Sequence, residues 1–96
     1  MMGKIKTHPF DPAEYLASEG AQAEYLTAAL ETGNTAFIAD AIGIIARAKG
    51  MAEVAKQTGL GRESLYKALS AEGNPEFATI LKVIRALGLK LTAEPV

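Results

Sequence analysis

The sequence predicts an all-α chain: a bundle of five to six short helices, two of them hinged as a helix-turn-helix, with a short C-terminal extended strand. Three observations lead there. Apolar residues recur at helical spacing in segments bounded by Ser, Asn, Gly and Pro. Hydrophobic residues are 49% of the chain but aromatics only 6%, a balance suited to closely packed helices rather than a sheet. The run Met51–Leu69 (MAEVAKQTGLGRESLYKAL) sets a small residue, Ala55, a glycine, Gly59, and an apolar residue, Leu65, at the offsets of two crossing helices. Ala55 lets a second helix cross closely. Gly59 can take the left-handed conformation that ends the first helix. Leu65 points back into the angle between them, supported by Val54, Leu60 and Leu69.

Each element has its own local signals. Residues 1–9 lack a period and end in His8-Pro9, which reads as an extended arm. Asp11 can cap a first short helix, with Pro12 at its first position and Glu14 reaching back; Phe10, Tyr15 and Leu16 are its apolar residues. Ser18 caps a second helix whose stripe is Ala21, Tyr25, Ala28 or Ala29, and Leu30, and Gly33 stops it. Asn34 caps a third, to about Lys49, on which Phe37, Ile38, Ala41, Ile42, Ile45 and Ala48 recur. Gly50 ends that helix, and the two motif helices follow at about 51–58 and 62–71. Gly73-Asn74-Pro75 then supplies a stop, a cap and a first-turn proline. The last helix, from about Pro75 to Leu87, buries Phe77, Ile80, Leu81, Ile84 and Leu87.

The tail Leu89-Lys90-Leu91-Thr92-Ala93-Glu94 alternates apolar and polar, the period of a strand with one buried face. A lone strand leaves its backbone groups unpaired, so it either lies as solvated coil or pairs with another chain. A second copy of itself is the simplest partner and makes a homodimer. Residues 1–33 form the arm and accessory helices and 34–96 the helix-turn-helix core with its strand, one compact domain in all.

Net charge is −1, but it is unevenly spread. Residues 1–40 carry Lys4 and Lys6 against Asp11, Glu14, Glu19, Glu24, Glu31 and Asp40, a net of −4; residues 41–96 carry eight cations against five Glu, a net of +3. A basic half facing phosphates and an acidic half facing a basic protein fit that split. There is no cysteine, so thiolate metal sites and disulfides are excluded, which suits a cytoplasmic protein. No apolar run approaches the ~18 residues that span a bilayer. Catalysis lacks its parts: His8 is the one histidine, the carboxylates are scattered, and no glycine loop cradles phosphate. No metal or cofactor is expected.

A helix that reads DNA needs donors for phosphates and donors or acceptors for base edges. The exposed positions of 62–69 offer them. Arg62 and Lys67 can reach phosphates, or Arg62 can fork onto guanine. Ser64 is small enough to approach the groove floor, and Tyr66 can donate to a phosphate or meet a thymine methyl. The peptide at Gly61 starts the helix, where free N–H groups favour an anion. Glu63 either accepts from cytosine or stabilises the first turn, and Lys56 and Gln57 on the preceding helix are candidates for backbone contacts. Arg47, Lys49 and Lys82 read as solvated charges. Two functions remain open on these residues: a DNA-binding regulator, and a protein-interaction module using the helix pair as scaffold.

Three stretches in order also resemble a known family: Phe10–Leu16 (FDPAEYL), Arg62–Pro75 (RESLYKALSAEGNP) and Leu81–Leu91 (LKVIRALGLKL). Together they are similar to the probable addiction-module antidote proteins, HigA-like antitoxins with an Xre/Cro-type helix-turn-helix. The likeness covers nearly the whole chain from Phe10. It implies a lambda-repressor-like bundle, a toxin partner of the RelE/HigB kind (a small ribosome-dependent mRNA endonuclease), and dimeric binding to a palindromic operator of the protein's own operon. Such toxins are basic, which makes Glu14, Glu19, Glu24 and Glu31 the toxin-binding candidates; a solvated helix face is the alternative. One departure is Gly61, where many motifs of this type carry a Ser or Thr cap.

Overall fold

The computed structural model describes residues 15–96, and among them the chain is all-helical with five helices and no strand. They are α1 (Glu19–Glu31), α2 (Thr35–Lys49), α3 (Met51–Thr58), α4 (Arg62–Ala68) and α5 (Phe77–Ala86). The arm and most of the expected first helix, including Glu14, lie outside the described residues. Leu16 is fully buried.

Helix α2 is the axis of the fold. It packs on α1, α3 and α4, while α3 packs in turn on α4 and α5. Its buried residues, Ala39, Ala41, Ile42, Gly43, Ile45 and Ala46, cover more than one face because neighbours stand on several sides. Ile42 and Ile45 meet Leu26 of α1, Val54 of α3, Leu65 and Leu69 at the α4 end, and Val83, Ile84 and Leu87 from the last helix in one core. Burying each such side chain contributes roughly 1.5–3 kcal/mol.

Gly43 is the tightest point of that core. A Cβ built there would overlap the carbonyl of Leu69, so backbone from the end of α4 lies directly on α2. Glycine inside a helix costs up to about 1 kcal/mol of propensity, and this close approach is what offsets it.

The helix ends are closed by side chains and glycines. Ser18 Oγ accepts from Ala21 N–H at 3.1 Å, and Asn34 Oδ1 accepts from Phe37 N–H at 3.0 Å, as the sequence predicts. Between α1 and α2 a relay joins the two caps. Thr32 Oγ1 donates to the Ala29 carbonyl at 2.6 Å and accepts from Asn34 N–H at 3.1 Å. At the end of α5, Gly88 has φ +80°; its N–H donates to the Arg85 carbonyl at 3.0 Å, and Leu89 N–H donates to the Ile84 carbonyl at 3.1 Å. That pair of bonds is a Schellman closure.

The structure corrects several expectations. Residues 89–96 form no strand. Leu89 and Leu91 are half-buried against the core, so the alternation reflects one packed side of an extended coil with no neighbouring strand. Helix α4 stops at Ala68 rather than 71, because Leu69 leaves helical geometry (φ −96°, ψ 60°) and the chain turns back at Ser70–Gly73. The last helix starts at Phe77 rather than Pro75, since Glu76 is still extended (ψ 152°). Phe77 and Phe37, expected inside, are 67% and 44% exposed, and Leu30 and Leu81 are also exposed. They lie on helical stripes, but no element of the described chain covers them.

Two glycine substitutions separate close approach from mere flexibility. Gly43→Ala is expected to lower the unfolding free energy by about 2 kcal/mol or more through overpacking against Leu69. Gly20→Ala meets nothing within 4 Å and is expected to raise it by about 0.5 kcal/mol. Urea melts at constant m-value read both; equal midpoints for the two variants would contradict this packing.

Candidate nucleic-acid interface

The candidate surface is built by α3, a three-residue turn and α4. Gly59 caps α3 in the left-handed conformation (φ 76°, ψ 11°), and its N–H donates to the Ala55 carbonyl at 2.9 Å. The turn is further pinned by Thr58. Its hydroxyl donates to the Val54 carbonyl at 2.8 Å and accepts from Leu60 N–H at 3.2 Å, the same device that Thr32 supplies after α1. Thr58 is not among the residues the sequence singled out. Its signal was a threonine directly before a helix-ending glycine, a pattern repeated at Thr32-Gly33.

Gly61 is the N-cap of α4 in extended geometry, with no side-chain cap bond. A Cβ there would meet just Ser64 Oγ, at 3.9 Å, so the site has room for a side chain. Leu65 N–H donates to the Gly61 carbonyl at 3.0 Å and Leu69 N–H to the Leu65 carbonyl at 2.8 Å, which hold the single helical stretch together.

Leu65 is 1% exposed and fixes the rotation of α4. At 100° per residue, Glu63 and Lys67 then stand opposite it, with Ser64 on one flank and Arg62 and Tyr66 on the other. Burial agrees: Gly61, Arg62, Glu63, Ser64, Tyr66 and Lys67 are all exposed. The sequence candidates on this helix are therefore all accessible, with Glu63 and Lys67 at the centre of the outward side and Ser64, Arg62 and Tyr66 on its two flanks. Tyr66 is exposed, with its ring on the flank of α4 rather than in the core.

The candidates on α3 divide. Lys56 is exposed. Gln57 is also exposed, but its Nε2 donates to Glu53 Oε2 at 2.7 Å, along its own helix. Gln57 and Thr58 also line a recess of about 370 Å³ with Lys82, Arg85 and Ala86 of α5. Arg85 was missed in the sequence, although it follows Lys82 at i+3 on the same helix.

The acidic candidates divide as well. Glu24 and Glu31 are exposed and share one face of α1 at i and i+7. Glu19 lies elsewhere: its carboxylate sits over Gly88, where an added Cβ would come within 2.8 Å of Oε2. One buried polar side chain, Gln22, went unnoticed; its Nε2 donates to the Leu16 carbonyl at 2.9 Å and anchors the segment before α1. Among the described residues, no helix is long and apolar enough to cross a membrane.

The family model described as "Probable addiction module antidote protein" matches residues 6–95. An uncharacterized protein of Haemophilus influenzae is 47% identical over 85 residues, which are 88% of this chain and 88% of that one. No solved structure matches the chain. By the extent of both matches, the chain belongs to the family of probable addiction module antidote proteins.

Proposed function

We propose that the chain is the antitoxin of a type II toxin–antitoxin module, binding operator DNA through α4 and neutralising a RelE/HigB-like toxin. An antidote family implies a toxin partner. The observation that carries the DNA half is the posture of α4: Leu65 buried beneath it, with Arg62, Ser64, Tyr66 and Lys67 outward after a left-handed glycine turn. In this reading α3 and α4 are a helix-turn-helix of the Xre/Cro type in a lambda-repressor-like bundle. Seven residues of helix span about 10 Å, enough for one side of a major groove. Arg62 and Lys67 take phosphates or guanine, Ser64 and Tyr66 the groove wall, Glu63 a base edge or the helix end, and Lys56, Gln57 and the Gly61 peptide the backbone.

Two cations on so short a helix cannot supply much affinity alone, so the protein binds as a homodimer to a palindrome and represses its own operon. Half-sites lie about 34 Å apart, one helical turn. The toxin meets the acidic side of the molecule, at Glu24 and Glu31, with Glu19 and Glu14 as further candidates.

The near-neutral net charge favours a second reading, in which the helix pair is a scaffold for protein contacts and no DNA is bound. Heparin retention at low salt separates the two: the scaffold flows through and the DNA binder is held.

Gel shifts with the DNA upstream of the gene test the proposal. Binding is expected at low salt, falling by about 0.9 log units per log unit of salt for each phosphate neutralised. Arg62→Ala and Lys67→Ala are expected to weaken it several-fold while changing stability by less than about 0.5 kcal/mol, as exposed positions do. Leu65→Ala, in contrast, costs about 2–5 kcal/mol of folding. No shift at low salt, or full affinity in both cation variants, rejects the assignment. For the toxin half, a small basic protein is expected to be encoded beside the gene, to arrest growth alone and to be silenced by co-expression of this chain; no such neighbour, or arrest that persists, rejects it.

A further inference from the structure

Away from α4 there is a second built surface. An open apolar groove of about 330 Å³ runs between the start of α2 and the Gly73–Phe77 segment. Leu30 of α1, Ile38 and Ile42 of α2, Ile80 of α5 and Leu91 of the tail are among its walls, and no residue of α4 lines it. Phe77, the most exposed large apolar side chain inside the described helices, stands in that lining. An exposed aromatic beside an open apolar groove is the anatomy of an interface core waiting for a partner.

Charge decides which partner. Glu31, Asp40, Glu72 and Glu76 each directly adjoin a lining residue in the sequence. The cations so placed are Lys90 and Arg85; Arg85 opens onto the separate recess with Lys82, and Lys90 and Glu31 both line an adjoining recess along the tail, which leaves Asp40, Glu72 and Glu76 as the charges beside the groove alone. A two-fold pairing of this face with itself would oppose carboxylates to carboxylates. A basic partner meets a complementary field.

We infer that this groove is the apolar core of the toxin-binding surface, taking an amphipathic segment whose apolar row packs against Phe77 and Ile38 while its Lys or Arg residues meet Glu31, Glu72 and Glu76. Leu30 and Leu91 are shared with the adjoining recess that Glu31 lines, so Glu31, among the acidic candidates of α1, stands at the edge of the groove. The identity of the partner rests on the antitoxin reading above and not on the DNA reading.

The test titrates the full chain, followed by backbone and methyl resonances, with a 14-residue amphipathic peptide of Leu and Lys. A Leu/Glu peptide of the same pattern and a Lys/Ser peptide without Leu are the controls. The Leu/Lys peptide is expected to shift Leu30, Ile38, Ile80 and Leu91 and to bind at least ten-fold more tightly than either control. Phe77→Ser is expected to weaken it at least five-fold. The pair Glu31→Lys with Glu76→Lys is expected to reverse the preference towards Leu/Glu, a result that loss of folding cannot produce. Equal binding by the two Leu peptides, shifts confined to other surfaces, or no shift at all would overturn the proposal. So would a dimer that Phe77→Ser converts to monomer, because the groove would then hold a second copy. Toxin silencing without any groove shift would leave the antitoxin reading standing and remove this surface. Groove binding by the peptide without toxin silencing would remove the assigned occupant.

Discussion

The reversal at Gly59 is the constraint on which the rest depends. Helices of eight and seven residues are too short to persist alone, since isolated helices below about 12–15 residues are marginal in water. What keeps α3 and α4 helical is the apolar wedge beneath the turn: Val54, Leu65 and Leu69 are buried, and they share one core with Ile42, Ile45 and Ile84. The left-handed glycine lets the chain reverse without strain, and Thr58 ties the turn to the helix it leaves. The outward face of α4 is thus held in place by residues that never reach the surface.

Rigidity at α4 is in turn inherited from α2. Because Gly43 has no side chain, the backbone at Leu69 rests on the middle of α2, and the loop after it is drawn in where Gly73 lies against the carbonyls of Lys67 and Ala68. The C-terminal end of α4 is therefore fixed by backbone contacts instead of by long side chains that could hop between rotamers. A surface built this way suits recognition that requires a preset orientation. The acidic and apolar surface on α1, the start of α2 and the Gly73–Phe77 segment is formed by other residues of the same bundle.

Much of this was legible in the sequence wherever the physics is local. Ser18 and Asn34 cap because a short polar side chain can reach an N–H three residues on, and Gly33 and Gly59 end helices because they tolerate positive φ. Leu65 was legible because one apolar residue among polar neighbours has only one direction to face. The rest depends on what stands opposite. Helical periodicity put Phe37 and Phe77 on apolar stripes, but a stripe does not say whether a neighbour covers it. Gly43 looked like an ordinary member of an apolar helix, because the backbone of Leu69 approaches it from 26 residues away. The tail's alternation was real, with Leu89 and Leu91 turned inward, yet period two cannot distinguish a strand from an extended coil on a core. Among the acidic candidates, composition could not foresee that Glu19 would lie over Gly88 while Glu24 and Glu31 share the open face.

The central claim is that the side of α4 opposite Leu65 is where this protein meets duplex DNA. Amide resonances of the full chain, followed while a duplex of the upstream operator is added at low salt, test it most directly. The account predicts that the largest changes fall between Lys56 and Lys67, with Leu30, Ile38 and Phe77 unmoved. Changes concentrated on α1 and the Gly73–Phe77 segment, with α4 silent, would contradict it.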